Sequence, residues 1–242
     1  MDLPRPTRLL GQNRELRDIG VYNWTLPAWA GRLPDGRTYN TCPSAGVCRH
    51  VCYALNGTYR FPAVRRAHLA NLLYVIDDLA GWQLQMTEEL AHIRHLHGWV
   101  RVHDAGDFFS DDYTRAWLQI MRATPLTRFY AYTKEVTRFR ALVEPDPPAN
   151  FRWVYSLGGR QDRQLTIGTD RTADVFPDTE SIWQAGWTDQ SESDLLAVTD
   201  PSNLIGIPAN HIPQFLNRQR NRSLGAWQAE VDARREHRAG RR

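Results

Sequence analysis

Apolar side chains recur along much of the chain at the 3.6-residue spacing that is typical of one helix face. Ser110 and Asp111 can cap one such stretch, since their side-chain oxygens can accept from the first backbone N–H groups, and Pro125 is suited to end that helix. The spacing predicts helices over Phe61–Ile76, Trp82–His97, 111–123, 135–143, 211–220 and 224–238.

Short runs of β-branched and aromatic residues separate these stretches. They predict strands near Gly20–Trp24 and over Trp99–His103, Arg128–Tyr132, Phe151–Ser156, Leu195–Val198 and Leu204–Ile207. Because the central strands alternate with helices, we expect parallel β-α units, which build either a β/α barrel or an open doubly wound sheet. No Gly-x-Gly-x-x-Gly follows a strand, which disfavours a dinucleotide-binding sheet. The predicted fold is α/β, a complete or partial TIM-like β/α barrel with parallel strands and C-terminal helices.

The 242 residues contain no internal repeat and no Gly/Ser linker, so we expect one domain. Within it we predict an irregular amino-terminal segment, a β/α core that carries the cysteines, and a basic carboxyl-terminal helix. These parts span residues 1–41, 42–216 and 217–242, respectively.

The composition, 42% hydrophobic and 24% charged, is that of an ordinary folded protein. No apolar run approaches the ~18–20 residues that a membrane span needs, and no secretory signal precedes the chain's first elements. We therefore expect a cytoplasmic protein with no membrane partner, located in the host cytoplasm if it is phage-encoded.

The net charge of +3 is unevenly distributed. Residues 217–242 contain eight arginines against three acidic residues, a balance of +5. Such a basic helix either contacts phosphate groups or is a solvated face. Nucleic acid is therefore a candidate partner.

The three cysteines, Cys42, Cys48 and Cys52, fall within eleven residues. Cys48 and Cys52 are four apart and would share a face of one helical turn. Because reduction disfavours disulfides in the cytoplasm, grouped thiolates there indicate a metal.

Two metal sites are compatible with this spacing. Three thiolates would leave one iron of a [4Fe–4S] cluster open for another ligand, whereas a fourth ligand, His50 or His68, would complete a tetrahedral zinc site. The remaining alternative is three small buried residues without a metal.

Polar residues and glycines cluster where the central strands are predicted to end. Function concentrates at the carboxyl ends of strands in parallel α/β folds, so we expect the site there. The residues are His103, Asp104, Gly106 and Asp107, then Thr133, Lys134 and Glu135, then Ser156, Gly158 and Gly159, with the last strands ending near Asp200 and Asn210.

Four segments, Cys42–Ala54, Val102–Ser110, Phe129–Lys134 and Tyr155–Gly159, resemble the phage and plasmid gene product eighty-eight family. More distantly, their order is similar to that in three-cysteine phage proteins of the radical S-adenosylmethionine type. That similarity implies a partial β/α barrel, a [4Fe–4S] cluster on the three cysteines, and S-adenosylmethionine on the open iron. The spacing here is Cys-x5-Cys-x3-Cys, whereas the usual spacing in those proteins is Cys-x3-Cys-x2-Cys.

The same similarity implies roles for the strand ends. Glycine would let backbone approach a ligand, the carboxylates would accept from its ammonium or hydroxyl groups, and a flavodoxin or ferredoxin would donate electrons. The expected substrate class is a nucleic acid or nucleotide. The implied cofactor-binding set is Tyr53, Gly106, Asp107, Ser156, Gly158 and Gly159, and the implied catalytic set is Asp104, Asp107 and Lys134.

Two other functions remain open. With zinc on the cysteines, Asp104 or Asp107 could serve as nucleophile or general base in a DNA-modifying enzyme similar to the base-exchanging transglycosylases. Alternatively, a non-catalytic nucleic-acid-binding module would use the basic tail, Arg218–Arg242, alone.

Overall fold

The structure, a computed structural model, describes residues 3–209 and 212–241. The helices are α1 (Arg14–Asp18), α2 (Pro62–Asp77), α3 (Leu79–Leu90), α4 (Asp111–Ala123), α5 (Val136–Leu142), α6 (Thr179–Gln184), α7 (Leu196–Thr199), α8 (Pro213–Gln219) and α9 (Leu224–Ala239). The strands are β1 (Val21–Trp24), β2 (Ala30–Arg32), β3 (Thr38–Asn40), β4 (Trp99–Val102), β5 (Arg128–Thr133), β6 (Phe151–Ser156), β7 (Thr172–Phe176), β8 (Thr188–Asp189) and β9 (Leu204–Pro208).

Seven of these strands form one sheet in the order β1-β4-β5-β6-β7-β9-β8, and β2 and β3 form a separate antiparallel hairpin. The pairs β1–β4, β4–β5, β6–β7, β7–β9 and β8–β9 are all parallel. The predicted α/β fold with parallel strands and C-terminal helices is therefore confirmed. Within the described part of the chain β1 and β8 are the sheet edges, so closure into a barrel is not observed.

The most accurate element prediction is the helix at 111–123, which is α4. The Ser110 hydroxyl accepts from the Tyr113 N–H at 3.3 Å, so the predicted N-cap is formed. Large apolar side chains on one face of the helix are buried, as the stripe predicts.

Other predictions differ from the structure. Leu195–Val198 is not a strand, because this segment turns into α7, whose carbonyls at Leu196 and Ala197 accept from the Arg171 guanidinium. The predicted helix Trp82–His97 is shorter and begins earlier, since Asp78 caps α3 and the helix ends at Leu90. The strands β2, β3, β7 and β8 and the helices α1 and α6 were not predicted. Residues 210 and 211, on which one predicted strand end and one helix start fall, lie outside the described residues.

The described chain separates into two compact units. The first unit comprises the residues up to Pro43 and Ala54–Trp153, and the second comprises Ser44–Tyr53 and the residues from Val154 onward. The single-domain prediction stays a prediction.

An aromatic cluster forms the core of the first unit. Trp82 of α3 lies at its centre, with ring centroids 5.2 to 5.5 Å from those of Trp24, Tyr113 and Trp117. All four side chains are buried. Core packing therefore accounts for Trp24, Trp82 and Trp117.

The core of the second unit forms where α6 and α9 pack on its strands. Ile182 of α6 and Ile205 of β9 are fully buried, and Phe176 at the end of β7 contacts Trp187 edge-on at 5.4 Å. At the amino terminus of α9 the Asp174 carboxylate accepts from the Gly225 N–H at 2.9 Å. This bond fixes α9 to β7.

Candidate functional site

In the first unit, Asp107 joins the ends of two neighbouring strands. Its Oδ1 accepts from the Phe108 N–H at 2.8 Å and from the Thr133 hydroxyl at 2.7 Å, and its Oδ2 accepts from the Lys134 N–H at 2.9 Å. Burial raises the pKa of Asp107, and the three donated hydrogen bonds oppose that rise. The predicted strand-end carboxylate is thus a buried cross-link between the ends of β4 and β5.

The network continues from Thr133 into α5. The Thr133 hydroxyl accepts from the Glu135 N–H at 3.0 Å, and the buried Glu135 carboxylate accepts from Arg138 at 2.7 Å. Arg138 also donates to the Phe108 carbonyl at 2.6 Å and to Asp111 at 2.7 Å. Donors and acceptors are matched along this path, which is the arrangement that makes a buried polar network stabilising.

His103 lies just after β4 in the left-handed backbone region, at φ 69°, and is 3% exposed. The Trp24 indole N–H donates to the Tyr113 hydroxyl at 2.7 Å, and the same hydroxyl is hydrogen-bonded to His103 Nε2 at 2.8 Å. The other ring nitrogen, Nδ1, has no hydrogen-bond partner among the described residues. Burial, and secondarily Arg101, lowers the pKa of His103 to about 3.

Asp104 is held by groups from two other segments and lies near Arg101 of β4. Its Oδ2 accepts from the Tyr59 hydroxyl at 2.5 Å and from Asn13 at 3.3 Å, and Arg101 lies 3.7 Å from its Oδ1. His68 packs its ring against Tyr59 at 5.7 Å. Burial lowers the pKa of His68, and the Asp104 charge opposes that shift. Asp104 and His68, predicted as a catalytic carboxylate and a zinc ligand, thus belong to one neighbourhood.

The backbone conformation and the close packing at position 106 both favour glycine. Its φ is 88°, and an added Cβ would lie 2.8 Å from the Leu26 Cβ. Its close approach is therefore to the protein core. Lys134 follows β5 half-buried, and its N–H donates to Asp107 Oδ2.

In the second unit, the cysteine turn (Ser44–Cys52) is fastened to the loop that follows β6, the strand-end loop (Leu157–Asp162). The Gly158 carbonyl accepts from the N–H groups of Gly46 and Cys48, both at 3.2 Å. The Arg160 N–H donates to the Ser44 carbonyl at 2.8 Å. The carboxyl end of β6 therefore carries Cys48.

Gln228 of α9 holds the cysteine turn from another side. Its Oε1 accepts from the Val47 N–H at 2.8 Å, and its Nε2 donates to Asp232 at 3.0 Å. Gln228 is 1% exposed, so both polar ends of this buried amide are satisfied within α9 and the turn. Neither Gln228 nor this contact was predicted.

Gly158 and Gly159 donate to protein rather than presenting free N–H groups. Both donate to the Asp162 carboxylate, at 2.7 and 2.9 Å. Gly158 also has φ 89°, and an added Cβ would lie 3.0 Å from Leu224 and 3.6 Å from the Cys48 Cβ. The glycine pair therefore brings backbone close to the cysteine turn, and its implied role toward a cofactor stays a prediction.

The three cysteines form no disulfide and are partly exposed. Val47–His50 forms a 3-10 turn that ends before Cys52, so the single helical turn on which Cys48 and Cys52 would share a face is not formed. Cys42 belongs to the first unit, where its N–H donates to Asn40 at 3.0 Å and its sulfur lies 3.8 Å from the Thr41 hydroxyl. Across residues 3–209 and 212–241, no three Cys, His, Asp or Glu side chains are gathered in the geometry of a metal site.

His50 forms hydrogen bonds and a ring contact with neighbouring residues. Its Nε2 accepts from Arg49 Nε at 3.3 Å, its carbonyl accepts from Arg218, and its ring lies 6.1 Å from that of Trp227. Burial lowers the pKa of His50, and the charges of Arg49 and Arg218 add to the effect.

Two remaining cofactor candidates lie in the second unit. Ser156 is half-buried at the last position of β6, paired in register with Ala173, and Tyr53 follows Cys52 with 37% of its surface exposed. The arginines around the cysteine turn were not predicted as site residues. The place of Arg49 between Cys48 and Cys52 was the one sequence signal that could have identified them.

Fold and site together define an α/β protein with an open parallel sheet and a thiol-bearing turn fixed at the carboxyl end of one strand. The chain belongs to the Gene product 88 family, whose sequence profile matches residues 7–239. The predicted family resemblance is thereby confirmed.

Two curated relatives are similar to this chain over 117 residues. They are the Gene 88 protein of Mycobacterium phage L5, 32% identical, and the Gene 88 protein of Mycobacterium phage D29, 31% identical. Each match covers 43% of this chain and 47% of the relative, so the chain spans about half the length of the curated relatives it matches. The expected link to bacteriophages is confirmed. No solved structure matches the chain.

None of the described helices combines the length and the apolar character that a bilayer crossing requires. This agrees with the sequence, in which no long apolar run was found.

Proposed function

We propose that this chain is an iron–sulfur protein in which Cys42, Cys48 and Cys52 ligate a [4Fe–4S] cluster. The observation that carries the proposal is the cysteine turn, which Gly158 and Gln228 hold at a strand end with its cysteines partly exposed and in no disulfide. A partial β/α barrel of the radical S-adenosylmethionine type belongs to the same proposal.

The chemistry of the donor set fits the cluster. Soft thiolates prefer iron–sulfur clusters, zinc or copper(I), and three of them leave one iron of a [4Fe–4S] cluster for an external ligand. Their closeness along the chain, within eleven residues, supports a shared centre. Because ligand loops commonly fold onto their metal, cluster binding would supply the bonds that gather the thiolates.

The surroundings of the two histidines favour iron–sulfur over zinc. His50 Nε2 is bonded to Arg49, and His68 packs beside Tyr59 in the first unit. Each imidazole thus has protein neighbours of its own, whereas a Cys₃His zinc site needs one of them as its fourth ligand.

A reduced cluster with S-adenosylmethionine on its open iron would supply radical chemistry, fed by a flavodoxin or ferredoxin in the host cytoplasm. The chain's own contribution is to fix the cysteine turn and to leave it partly exposed. The proposed substrate class is a nucleic acid or nucleotide. The proposed catalytic set stays Asp104, Asp107 and Lys134, although the first two have structural partners as they lie.

Anaerobic purification tests the proposal. We expect brown protein with about four iron and four sulfide per chain that bleaches with dithionite, and we expect this colour to be lost in Cys42→Ala, Cys48→Ala and Cys52→Ala. The matched control is His50→Ala, which should keep its iron, and circular dichroism should show that all four variants fold.

Colourless protein with one zinc per chain that is lost in His50→Ala would overturn the proposal in favour of a Cys₃His site. Iron content unchanged in Cys48→Ala would show that Cys48 is not a ligand. Protein with neither metal after reconstitution with iron and sulfide would exclude the cluster.

A further inference from the structure

A small cleft lies beside the cysteine turn within the second unit. It has a volume of about 80 Å³ and is formed by the cysteine turn, the strand-end loop and α9. One water needs only about 10–15 Å³ of such space, so the cleft has room for a group of phosphate size. The side chains that line it include Arg49, His50, Arg160, Trp227, Gln228 and Arg235. We call it the basic cleft.

The lining carries three guanidinium groups and no carboxylate. Arg160 donates through Nε to the Ala45 carbonyl at 3.1 Å, which fixes its guanidinium beside the cysteine turn. Arg235 has Asp232 3.6 Å away, but that carboxylate also lies 3.7 Å from Arg163 and accepts from Gln228. The positive charges therefore outnumber the negative charge next to them.

The other carboxylates of α9 are engaged away from the cleft. Glu236 pairs with Arg163, and Glu230 pairs with Arg222 and Arg234. A dianionic or monoanionic group would therefore be attracted to this cleft.

An aromatic surface adjoins the guanidinium groups. Trp227 is half-buried, with the Arg222 guanidinium 5.4 Å from its ring centre and the His50 ring 6.1 Å away. Guanidinium groups that bind phosphate next to a ring that can stack on a base are the pattern of nucleotide-chain binding. A simple anion site would need no such ring.

We propose that the basic cleft binds a phosphate group carried by a nucleotide or polynucleotide, with Trp227 beside the adjoining base. Arg49 places this site one residue from Cys48. The inference deepens the proposed function, on which it rests for the substrate class, by assigning the substrate's phosphate to named residues. Phosphate binding requires no cluster, so the two proposals can fail separately.

The test is the binding of a fluorescein-labelled single-stranded oligonucleotide of about 15 nucleotides to the full chain, followed by fluorescence anisotropy over a range of salt concentrations. The informative pair is Arg235→Glu and Arg234→Glu, because both change the net charge equally on adjacent residues of α9. Arg234 does not line the cleft, and its side chain is 77% exposed. We expect Kd to rise about tenfold in Arg235→Glu and to change less than about threefold in Arg234→Glu.

Arg160→Gln provides a second variant in the strand-end loop. It should also weaken binding and should reduce the slope of log Kd against log salt by about 0.7, the value for one lost phosphate contact to a single strand. Trp227→Leu should weaken binding of the oligonucleotide while leaving competition by inorganic phosphate unchanged. Iron content, measured on the same samples, should not follow these losses.

Competition identifies the source of the phosphate. A polynucleotide site is indicated if unlabelled oligonucleotide competes far better than thymidine monophosphate, and a nucleotide site if the two compete equally per phosphate. Equal losses in the two glutamate variants, or no salt-dependent binding by the folded wild type, would overturn the inference. So would equal competition by inorganic phosphate and thymidine monophosphate, together with an inert Trp227→Leu.

Discussion

The polar residues at the strand ends differ in burial and in hydrogen bonding between the two units. At the ends of β4 and β5 the carboxylates are buried, and Asp107 alone accepts three protein hydrogen bonds. At the end of β6 the polar backbone holds a turn whose Cys48 thiol stays partly exposed beside a basic cleft. A polar residue at a strand end is thus no evidence of chemistry until its partners are known, because saturated groups serve the fold.

The largest expected effect comes from removing the buried cross-link of the first unit. Asp107→Ala leaves the Phe108 and Lys134 N–H groups and the Thr133 hydroxyl without their acceptor. Since each buried unsatisfied donor is costly, we expect the free energy of unfolding to fall by about 3 kcal/mol or more in urea titrations.

The matched control for this prediction is Asp112→Ala, at a side chain that is 85% exposed and should change stability by less than about 0.5 kcal/mol. If Asp107→Ala is as stable as this control, the cross-link interpretation is wrong. If it is stable and also abolishes activity, a catalytic Asp107 would be favoured instead.

A smaller effect is expected from the buried imidazole of His103. Its pKa of about 3 in the folded protein is below its ordinary 6.5, so between these values the unfolded chain binds a proton that the folded protein does not. Stability should therefore fall as pH is lowered through this range, by up to about 1.4 kcal/mol per pH unit. Burial raises the pKa of Asp107, so the contribution of Asp107 to the pH dependence of stability has the opposite sign.

The comparison of wild type with His103→Asn isolates the histidine. Asparagine tolerates the left-handed backbone at φ 69°, and it does not titrate. Unfolding free energies measured between pH 7 and 5 should show a shallower pH dependence in the variant. Parallel curves would mean that His103 is protonated in the folded protein or is exposed.

The smallest expected effect concerns Gly158 in the second unit. It separates the close approach of neighbouring side chains to this glycine from the effect of its backbone conformation. Gly158 and Gly168 have nearly the same φ, 89° and 90°, but an added Cβ meets Leu224 and Cys48 only at Gly158. Alanine at either position costs about 1–3 kcal/mol for the backbone. We expect Gly158→Ala to be about 1 kcal/mol less stable than Gly168→Ala and to retain less iron under reconstitution.

Equal stability and equal iron content in the two alanine variants would show that the approach of Gly158 to the cysteine turn is unimportant. The buried hydrogen-bond network of the first unit would then be the region whose stability is more sensitive to substitution. The contrast between the two units would be weakened accordingly.

Local sequence predicted those elements whose signals are local. The helix at 111–123 follows from its apolar stripe and from the Ser110 cap, and both are found in the structure. β7 was missed although it lies inside the sheet, because Thr172–Phe176 contains a buried Asp174 that breaks the apolar run. The Asp174 carboxylate accepts from the Gly225 N–H of α9, which is 51 residues away along the chain.

The candidate site likewise has features that local sequence predicts and features that it does not. The cysteine cluster and the strand-end residues could be chosen from residue type and spacing. The partners that decide their roles could not, since Tyr59 bonds Asp104 across 45 positions and Gln228 bonds Val47 across 181. No periodicity or motif connects such residues.

The sequence by itself determined the α/β class, most helices and parallel strands, the family, and the grouping of three thiols within eleven residues. Only the tertiary structure decided that Asp104 and Asp107 are engaged by protein donors, and that arginines from the cysteine turn, the strand-end loop and α9 line one cleft. The physical reason is that propensity and periodicity act between near neighbours in the chain. Hydrogen-bond saturation and charge accumulation instead depend on which distant segments meet in space.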